Sequence, residues 1–259
     1  MSKIVKALVL YGVGLNCDHE TARAFELAGA SAERVIISRL EESPESLLEY
    51  DIFAIPGGFS YGDDISAGAV LAAKLKRRIG DSLSKFIESG RPVVGICNGY
   101  QALAKGGFLP DLSGETKQEV TLTYNDSGRF TDRWIHLTSG RSVCKFTEGI
   151  DDIELPVRHG EGKFVCTDET LGLLQENNLV VFRYADANGD PTQTYPLNPN
   201  GSMDAVAAIC NRQGNVLGIM PHPEAYVDRT QHPRWTREKL PEEGAGLKIF
   251  RNIVKYATA

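Results

Sequence analysis

A chain of 259 residues with 42% apolar, 24% charged and 8% aromatic residues has the composition of a globular protein, which excludes collagen-like, low-complexity and disordered readings. Its 28 Lys and Arg against 34 Asp and Glu give a net charge of −6 with no basic block, which argues against holding nucleic acid or an anionic membrane surface. Five scattered cysteines, Cys17, Cys97, Cys144, Cys166 and Cys210, include no C-x-x-C pair, so reduced thiols, no metal cage and a cytoplasmic location are expected. No apolar run approaches the ~20 residues that span a bilayer. Lys3 and Lys6 ahead of the apolar stretch 7–15 imitate a short signal segment, but Asn16 stands where a small residue is wanted, and a buried first strand explains the run better.

In chain order, residues 5–11 are an aliphatic, β-branched run ended by Gly12 and Gly14. Residues 18–28 follow with helical spacing, Ala22, Phe25 and Ala28 recurring behind a capping Asp18. A short strand at 35–37, a helical turn at 44–48 and an apolar strand at 51–55 stopped by Pro56-Gly57-Gly58 come next. Residues 66–87 are helical in pattern with a break expected near Gly80, 92–96 is a fourth strand, and 99–105 opens another helix. Strands that alternate with helices and are apolar at every position predict an α/β fold, an open and mostly parallel sheet flanked by helices on both faces. From 111 to 220 the pattern shifts to strands at 119–124, 154–157, 180–184, 205–210 and 216–220, divided by Asn188-Gly189, Asn200-Gly201 and Gly214-Asn215. These read as β-hairpin extensions of the same sheet that wrap one end of it. Residues 228–243, polar and charged with a single Trp235, read as a long surface loop, and 246–256 as an amphipathic helix with Leu247, Phe250, Ile253 and Val254 on one side. With no linker and no repeat, residues 1–259 read as one domain.

Three segments carry chemistry. Gly95-Ile96-Cys97-Asn98-Gly99-Tyr100-Gln101 passes from an apolar strand through a tight turn into a helix, the context in which a G-x-[S/C]-x-G segment forms a nucleophile elbow. Cys97 would stand at a helix N-terminus, whose positive end stabilises an anionic sulfur, with the Asn98 N–H aimed where an oxyanion forms. A buried, inert cysteine is the competing reading. In the second segment, His222 follows an apolar strand between Pro221 and Pro223, which hold it outward, and Glu224 lies two positions on, able to fix the ring's tautomer. His222 would then take the Cys97 proton and later protonate a leaving amine. In the third, Gly57-Gly58 at a strand's carboxyl end bares backbone N–H groups, and Gly58 can supply a second oxyanion donor. A phosphate cradle is disfavoured, because neither a P-loop Lys-Ser/Thr nor G-x-G-x-x-G is present.

With these residues in place the sequence resembles the class I, or triad, glutamine amidotransferases, whose diglycine loop, G-x-C-x-G-x-Q elbow and H-P-E terminus stand here as Gly57-Gly58, residues 95–101 and His222-Pro223-Glu224. Within them it is most similar to the glutaminase subunits of phosphoribosylformylglycinamidine synthase. The matching stretches are P-G-G-F-S-Y-G-D at 56–63, G-I-C-N-G-Y-Q at 95–101, H-G-E-G-K-F at 159–164, N-G-S at 200–202, G-N-V-L-G-I-M-P-H-P-E at 214–224 and G-L-K-I-F at 246–250. The resemblance implies a flavodoxin-like sheet and hydrolysis of glutamine through a γ-glutamyl thioester on Cys97. It implies that ammonia passes to a large ATP-dependent synthetase subunit making formylglycinamidine ribonucleotide in de novo purine biosynthesis. ATP and Mg would belong to that subunit, this chain would hold no cofactor or metal, and a small accessory subunit would complete the complex. By the same resemblance Gln101 helps hold glutamine, and Gly57, His159, Gly160 and Glu161 line its pocket. Two departures stand out. The turn at 12–18 is longer than the family's usual G-S-N-C-D, and the loop 228–243 is longer than in compact members.

The rival readings are a glutamine amidotransferase for another synthetase, a stand-alone Cys hydrolase on the same fold, and a catalytically silent binding subunit. The protease and glyoxalase-like hydrolases place His directly after the nucleophile, where this chain has Asn98. Dienelactone-hydrolase-like enzymes order their triad nucleophile, acid, His, whereas this chain runs Cys97, His222, Glu224. A silent subunit would not need all three residues intact.

Overall fold

Strands with no polar face can lie only between two helical layers, and β1 (Lys6–Tyr11), β3 (Ile52–Ile55) and β4 (Val93–Ile96) are buried along nearly their whole length. In the computed structural model, which describes residues 4–258, they pair in parallel at one half of a nine-stranded sheet. β2 (Ser31–Ile36) joins β1 on one side and β11 (Val216–Ile219) joins β4 on the other, both in parallel, so the order is β2-β1-β3-β4-β11. Beyond β11 the sheet turns antiparallel through β10 (Val206–Cys210), β9 (Val180–Ala185), β6 (Thr131–Ser139) and β7 (Asp152–His159). This is the hairpin extension expected from the sequence, and it curls back. The carbonyl of Pro156, on the far-edge strand, accepts a hydrogen bond from His222 N at 2.9 Å. β5 (Val120–Thr123) and β8 (Lys163–Cys166) form a separate antiparallel ribbon.

The helices are α1 (Asp18–Leu27), α2 (Ile37–Glu42), α3 (Ala69–Lys74), α4 (Gly80–Glu88), α5 (Asn98–Gly106), α6 (Asp168–Glu176) and α7 (Leu247–Ala257). Phe25 of α1 meets Phe250 of α7 edge-on at 4.9 Å between ring centres, and Leu247, Phe250 and Ile253 are buried as the helical spacing anticipates. Among the described residues no helix is long and apolar enough to cross a membrane. Lys3 of the signal-like reading lies outside the described residues, as do the other ends of the 1–259 span.

Several local expectations are corrected. Asp18 does not cap α1: Cys17 occupies the N-cap, and the buried Asp18 carboxylate instead accepts from Arg34 at 2.6 Å. The strand at 35–37 starts at Ser31, and Ile37 opens α2. Near Gly80 the helical run is distorted rather than broken, with a π-helical turn at Leu75–Ile79 immediately before α4. The sequence pattern does not predict β6, β8 or α6, and β6 is half-exposed, with Arg133 on the face of Ile135 and Leu137 and Trp134 on the face of Asp132 and His136. The loop 228–243 is strapped down rather than free: His232 is buried, bonds Glu154 of β7 at 3.1 Å and packs its ring on Trp134 and Tyr226, while Asp228 and Glu243 pair at its ends.

Candidate active site

The elbow forms because β4 must hand the chain to α5 within one residue. Cys97 takes φ 49° and ψ −101°, a conformation that side-chain-bearing residues rarely adopt, held by its N–H on the Ile219 carbonyl at 2.8 Å and by Gln101 N on its own carbonyl at 3.0 Å. The close approach of helix and sheet depends on missing side chains. A Cβ on Gly99 would lie 1.9 Å from the Ile55 oxygen, and one on Gly95 would lie 2.7 Å from the Gly99 carbonyl. The Cys97 thiol points to the Arg158 carbonyl at 3.7 Å, so the curled edge strand β7 forms part of the nucleophile's surroundings.

Parallel pairing of β11 with β4 sets Gly218 against Gly95 and Ile219 against Ile96, which delivers His222 to the elbow three residues beyond β11. Its Nδ1 is 2.5 Å from Glu224 Oε1, and both side chains are buried. Burial by itself opposes a charge on the His222 ring. The Glu224 carboxylate and then Cys97 outweigh it, holding the ring's proton affinity well above the ordinary imidazole value. The three residues singled out in the sequence thus meet at one place.

The Gly57-Gly58 loop is fixed from three sides. The Gly57 carbonyl accepts from Cys17 N at 3.1 Å, while Phe59 N and Tyr61 N donate to the Gly14 and Val13 carbonyls at 2.7 and 3.0 Å. The longer turn at 12–18 is thus a brace for the diglycine loop. Gly58 has φ +150°, open to glycine, and a Cβ there would lie 2.3 Å from the Gly14 oxygen. Anchoring of the Gly57 carbonyl on Cys17 turns the Gly58 N–H of the same trans peptide the opposite way. The Gly58 N–H and the first-turn N–H of Asn98 have no backbone partner among the described residues, which fits both as anion donors.

A cavity of about 200 Å³ opens over Cys97, lined by Gly58, Gln101, His159, Gly160 and Glu161 as expected. Gly57, expected in this lining, is not part of it: a side chain there would meet His222 and Cys17 instead. The amide of Gln101 is engaged at both ends, its Nε2 on the Glu161 carbonyl at 2.6 Å and its Oε1 on Asn98 Nδ2 at 2.9 Å, so it ties the elbow helix to the opposite wall. Glu161 Oε2 accepts from Ala67 N at 3.1 Å and lies 3.8 Å from Lys105. His159 bonds Asn125 Oδ1 through Nδ1 at 3.0 Å and Asn200 through Nε2 at 3.4 Å. Phe59, Asp63, Tyr124, Arg129, Phe130 and Arg158 also line the cavity, and sequence reasoning passed over them. Phe59 and Asp63 carried a signal, as members of the P-G-G-F-S-Y-G-D stretch: the Asp63 carboxylate accepts from Asn98 Nδ2 at 3.1 Å, and burial raises its proton affinity.

The two buried histidines make opposite demands on pH. Burial, reinforced by the nearby His222 charge, lowers the His159 pKa from 6.5 to about 3. Between those values the unfolded chain binds more protons than the folded one, so stability falls as pH falls through that window. The His222 shift is upward, so its contribution is complete below the ordinary imidazole value and is lost as pH rises through the folded one. His159→Gln is expected to flatten the decline in urea midpoint between about pH 6.5 and pH 4, the part of the His159 window that is convenient to measure. An unchanged decline assigns it to other groups.

Residues 4–257 match the CobB/CobQ-like glutamine amidotransferase domain. A phosphoribosylformylglycinamidine synthase subunit PurQ from Dehalococcoides mccartyi is 49% identical over 258 residues, covering 99% of this chain and 99% of its own. A PurQ from Archaeoglobus fulgidus is 40% identical over 268 residues, covering 97% of each chain. Among solved structures, a chain of PurLQS from Thermotoga maritima superposes at TM-score 0.73 with 30% identity, over 98% of this chain and 99% of that one. A glutamine amidotransferase from Thermotoga maritima, 17% identical at TM-score 0.54 over 99% of each chain, shares the fold. The α/β class and the family resemblance read from the sequence both stand.

Proposed function

The chain belongs to the phosphoribosylformylglycinamidine synthase subunit PurQ family of CobB/CobQ-like glutamine amidotransferases, and from that premise we propose that it hydrolyses glutamine to glutamate and ammonia on Cys97. The ammonia serves an ATP-dependent synthetase subunit that forms formylglycinamidine ribonucleotide in purine biosynthesis. The observation that carries this reading is Cys97, held in a strained elbow, facing a buried His222–Glu224 pair beneath a cavity sized for an amino acid.

The geometry orders the steps. Cys97 gives its proton to His222 Nε2 and its sulfur attacks the glutamine γ-carboxamide carbon, with the oxyanion facing the Gly58 and Asn98 N–H groups. His222 returns the proton to the leaving nitrogen, which departs as ammonia and leaves the γ-glutamyl thioester. Water, deprotonated by His222, then releases glutamate and restores the thiol. Glu224 holds the Nδ1 proton and steadies the imidazolium. Gln101, His159, Gly160 and Glu161 shape the pocket, the first two by bracing its walls.

The synthetase carries ATP and Mg, this chain needs no cofactor, a small accessory subunit completes the assembly, and residues 1–259 act as one amidotransferase domain. Likeness to a chain of PurLQS supports the partner. So does the exposed apolar rim at the cavity mouth, Phe59, Tyr124 and Phe130, which suits a protein surface better than water. A glutamine-mimicking electrophile tests the site: mass spectrometry of the digested chain is expected to find one label, on Cys97, with Cys17, Cys144, Cys166 and Cys210 unmodified. Label on another cysteine instead removes Cys97 as the nucleophile.

A further inference from the structure

Cys17 has no part in the steps above, yet it stands beside them. Its sulfur, a ring nitrogen of His222 and a carboxylate oxygen of Glu224 all lie within 4.8 Å of one another. Cys17 is partly exposed, whereas His222 and Glu224 are 2% and 0% exposed. Among the described residues, Glu224 Oε2 of this buried pair has no hydrogen-bond partner. The gap between ring and thiol exists because residue 57 is glycine: a Cβ there would sit 3.3 Å from His222 Nδ1 and 3.4 Å from Cys17 Sγ. A thiolate, an imidazole nitrogen and a carboxylate oxygen are together a donor set for Zn²⁺, which accepts three protein ligands at ~2.0–2.3 Å and leaves a fourth position open.

We propose that Cys17, His222 and Glu224 form a binding site for a thiophilic divalent cation of the Zn²⁺ type, taken through Cys17 Sγ, His222 Nδ1 and the Glu224 carboxylate. Glu224 marks Nδ1 as the nitrogen on this side of the ring. Starting from the Nδ1–H form of the ring, the Cys17 thiol proton is released to solvent and the cation takes the place of the Nδ1 proton, which passes to Nε2. No electrons are transferred. The ring then presents N–H rather than a lone pair towards Cys97. On the glutaminase reading, from which this consequence follows, a bound cation removes the base and stops turnover.

The test uses Co²⁺ alone, added to the purified full chain as a coloured stand-in for Zn²⁺. A near-ultraviolet thiolate-to-cobalt band is expected to rise to one equivalent and to fall when Zn²⁺ is added. The band should persist in Cys97→Ala, disappear in Cys17→Ser, and require at least ten-fold more Co²⁺ in Glu224→Gln. Cys17→Ala replaces the Ser variant if that variant does not fold. Glutamine hydrolysis by the wild type should decline as Zn²⁺ fills the site and return with a chelator. A band lost in Cys97→Ala but kept in Cys17→Ser places the cation on the elbow thiol and overturns the proposal. No band in the wild type, or one that survives both cysteine substitutions, overturns it equally. Binding is read without glutamine, so its failure is distinct from failure of the glutaminase reading, which would appear as no turnover by metal-free wild type with its synthetase.

Discussion

Cys97→Ala, assembled with the synthetase, is expected to lose glutamine-dependent product while keeping ammonia-dependent product near the wild-type rate. The substitution removes one sulfur, which points to the Arg158 carbonyl at 3.7 Å, and alanine keeps the Cβ already tolerated at φ 49°. Fold and docking should therefore survive. Without the sulfur no thioester forms, and removing the nucleophile from a catalytic triad lowers kcat by ~10⁶. Amination belongs to the other subunit, so free ammonia bypasses the lesion. Paired assays with glutamine and with an ammonium salt decide the matter. Residual glutamine-dependent synthesis in the variant makes the elbow cysteine structural, and loss of both activities makes it a docking element.

Glu224→Gln should come next in size, with a fall in kcat of ~10²–10⁴. The carboxylate holds Nδ1–H at 2.5 Å, and its charge is what overcomes the burial that otherwise disfavours a protonated His222. Glutamine at 224 is neutral and can present its own N–H to Nδ1, which favours the tautomer with its proton on Nε2, where Cys97 needs a lone pair. With the carboxylate gone burial dominates, so the ring's proton affinity falls. The acid-side limb of kcat/KM, which in the wild type reports protonation of the base, should therefore move to lower pH. Circular dichroism should show an intact fold. A folded variant with unchanged kcat removes Glu224 from the triad, and a limb that moves upward contradicts the charge argument.

The candidate triad was legible because its parts are local in sequence. Strand, turn and helix around Cys97 lie within residues 92–105, and Glu224 is two residues from His222. Fully apolar strands told of a sheet covered on both faces for the same reason, since burial of a segment on both sides is written in its own composition. β6 is hard to read because Arg133 falls on the face of Ile135 and Leu137 and Trp134 on the face of Asp132 and His136, leaving a weak two-residue period. Asp18 looked like a cap by type and position, but an arginine 16 residues away took its carboxylate.

What the sequence determined by itself was the strand–helix alternation of the first half, the elbow, the His222–Glu224 pair and the family. What only the tertiary structure decided was which distant residues meet them. The curl of the antiparallel half brings the Pro156 and Arg158 carbonyls of an edge strand onto His222 and Cys97. The turn at 12–18 becomes a brace for Gly57-Gly58 and carries Cys17 to the far side of the His222 ring. His232, with no carboxylate close to it in sequence, finds Glu154 from 78 positions away. Each of these contacts depends on strand order, register and sheet curvature. Those are set by the sum of many buried contacts across the whole chain, so no short window of residues contains them.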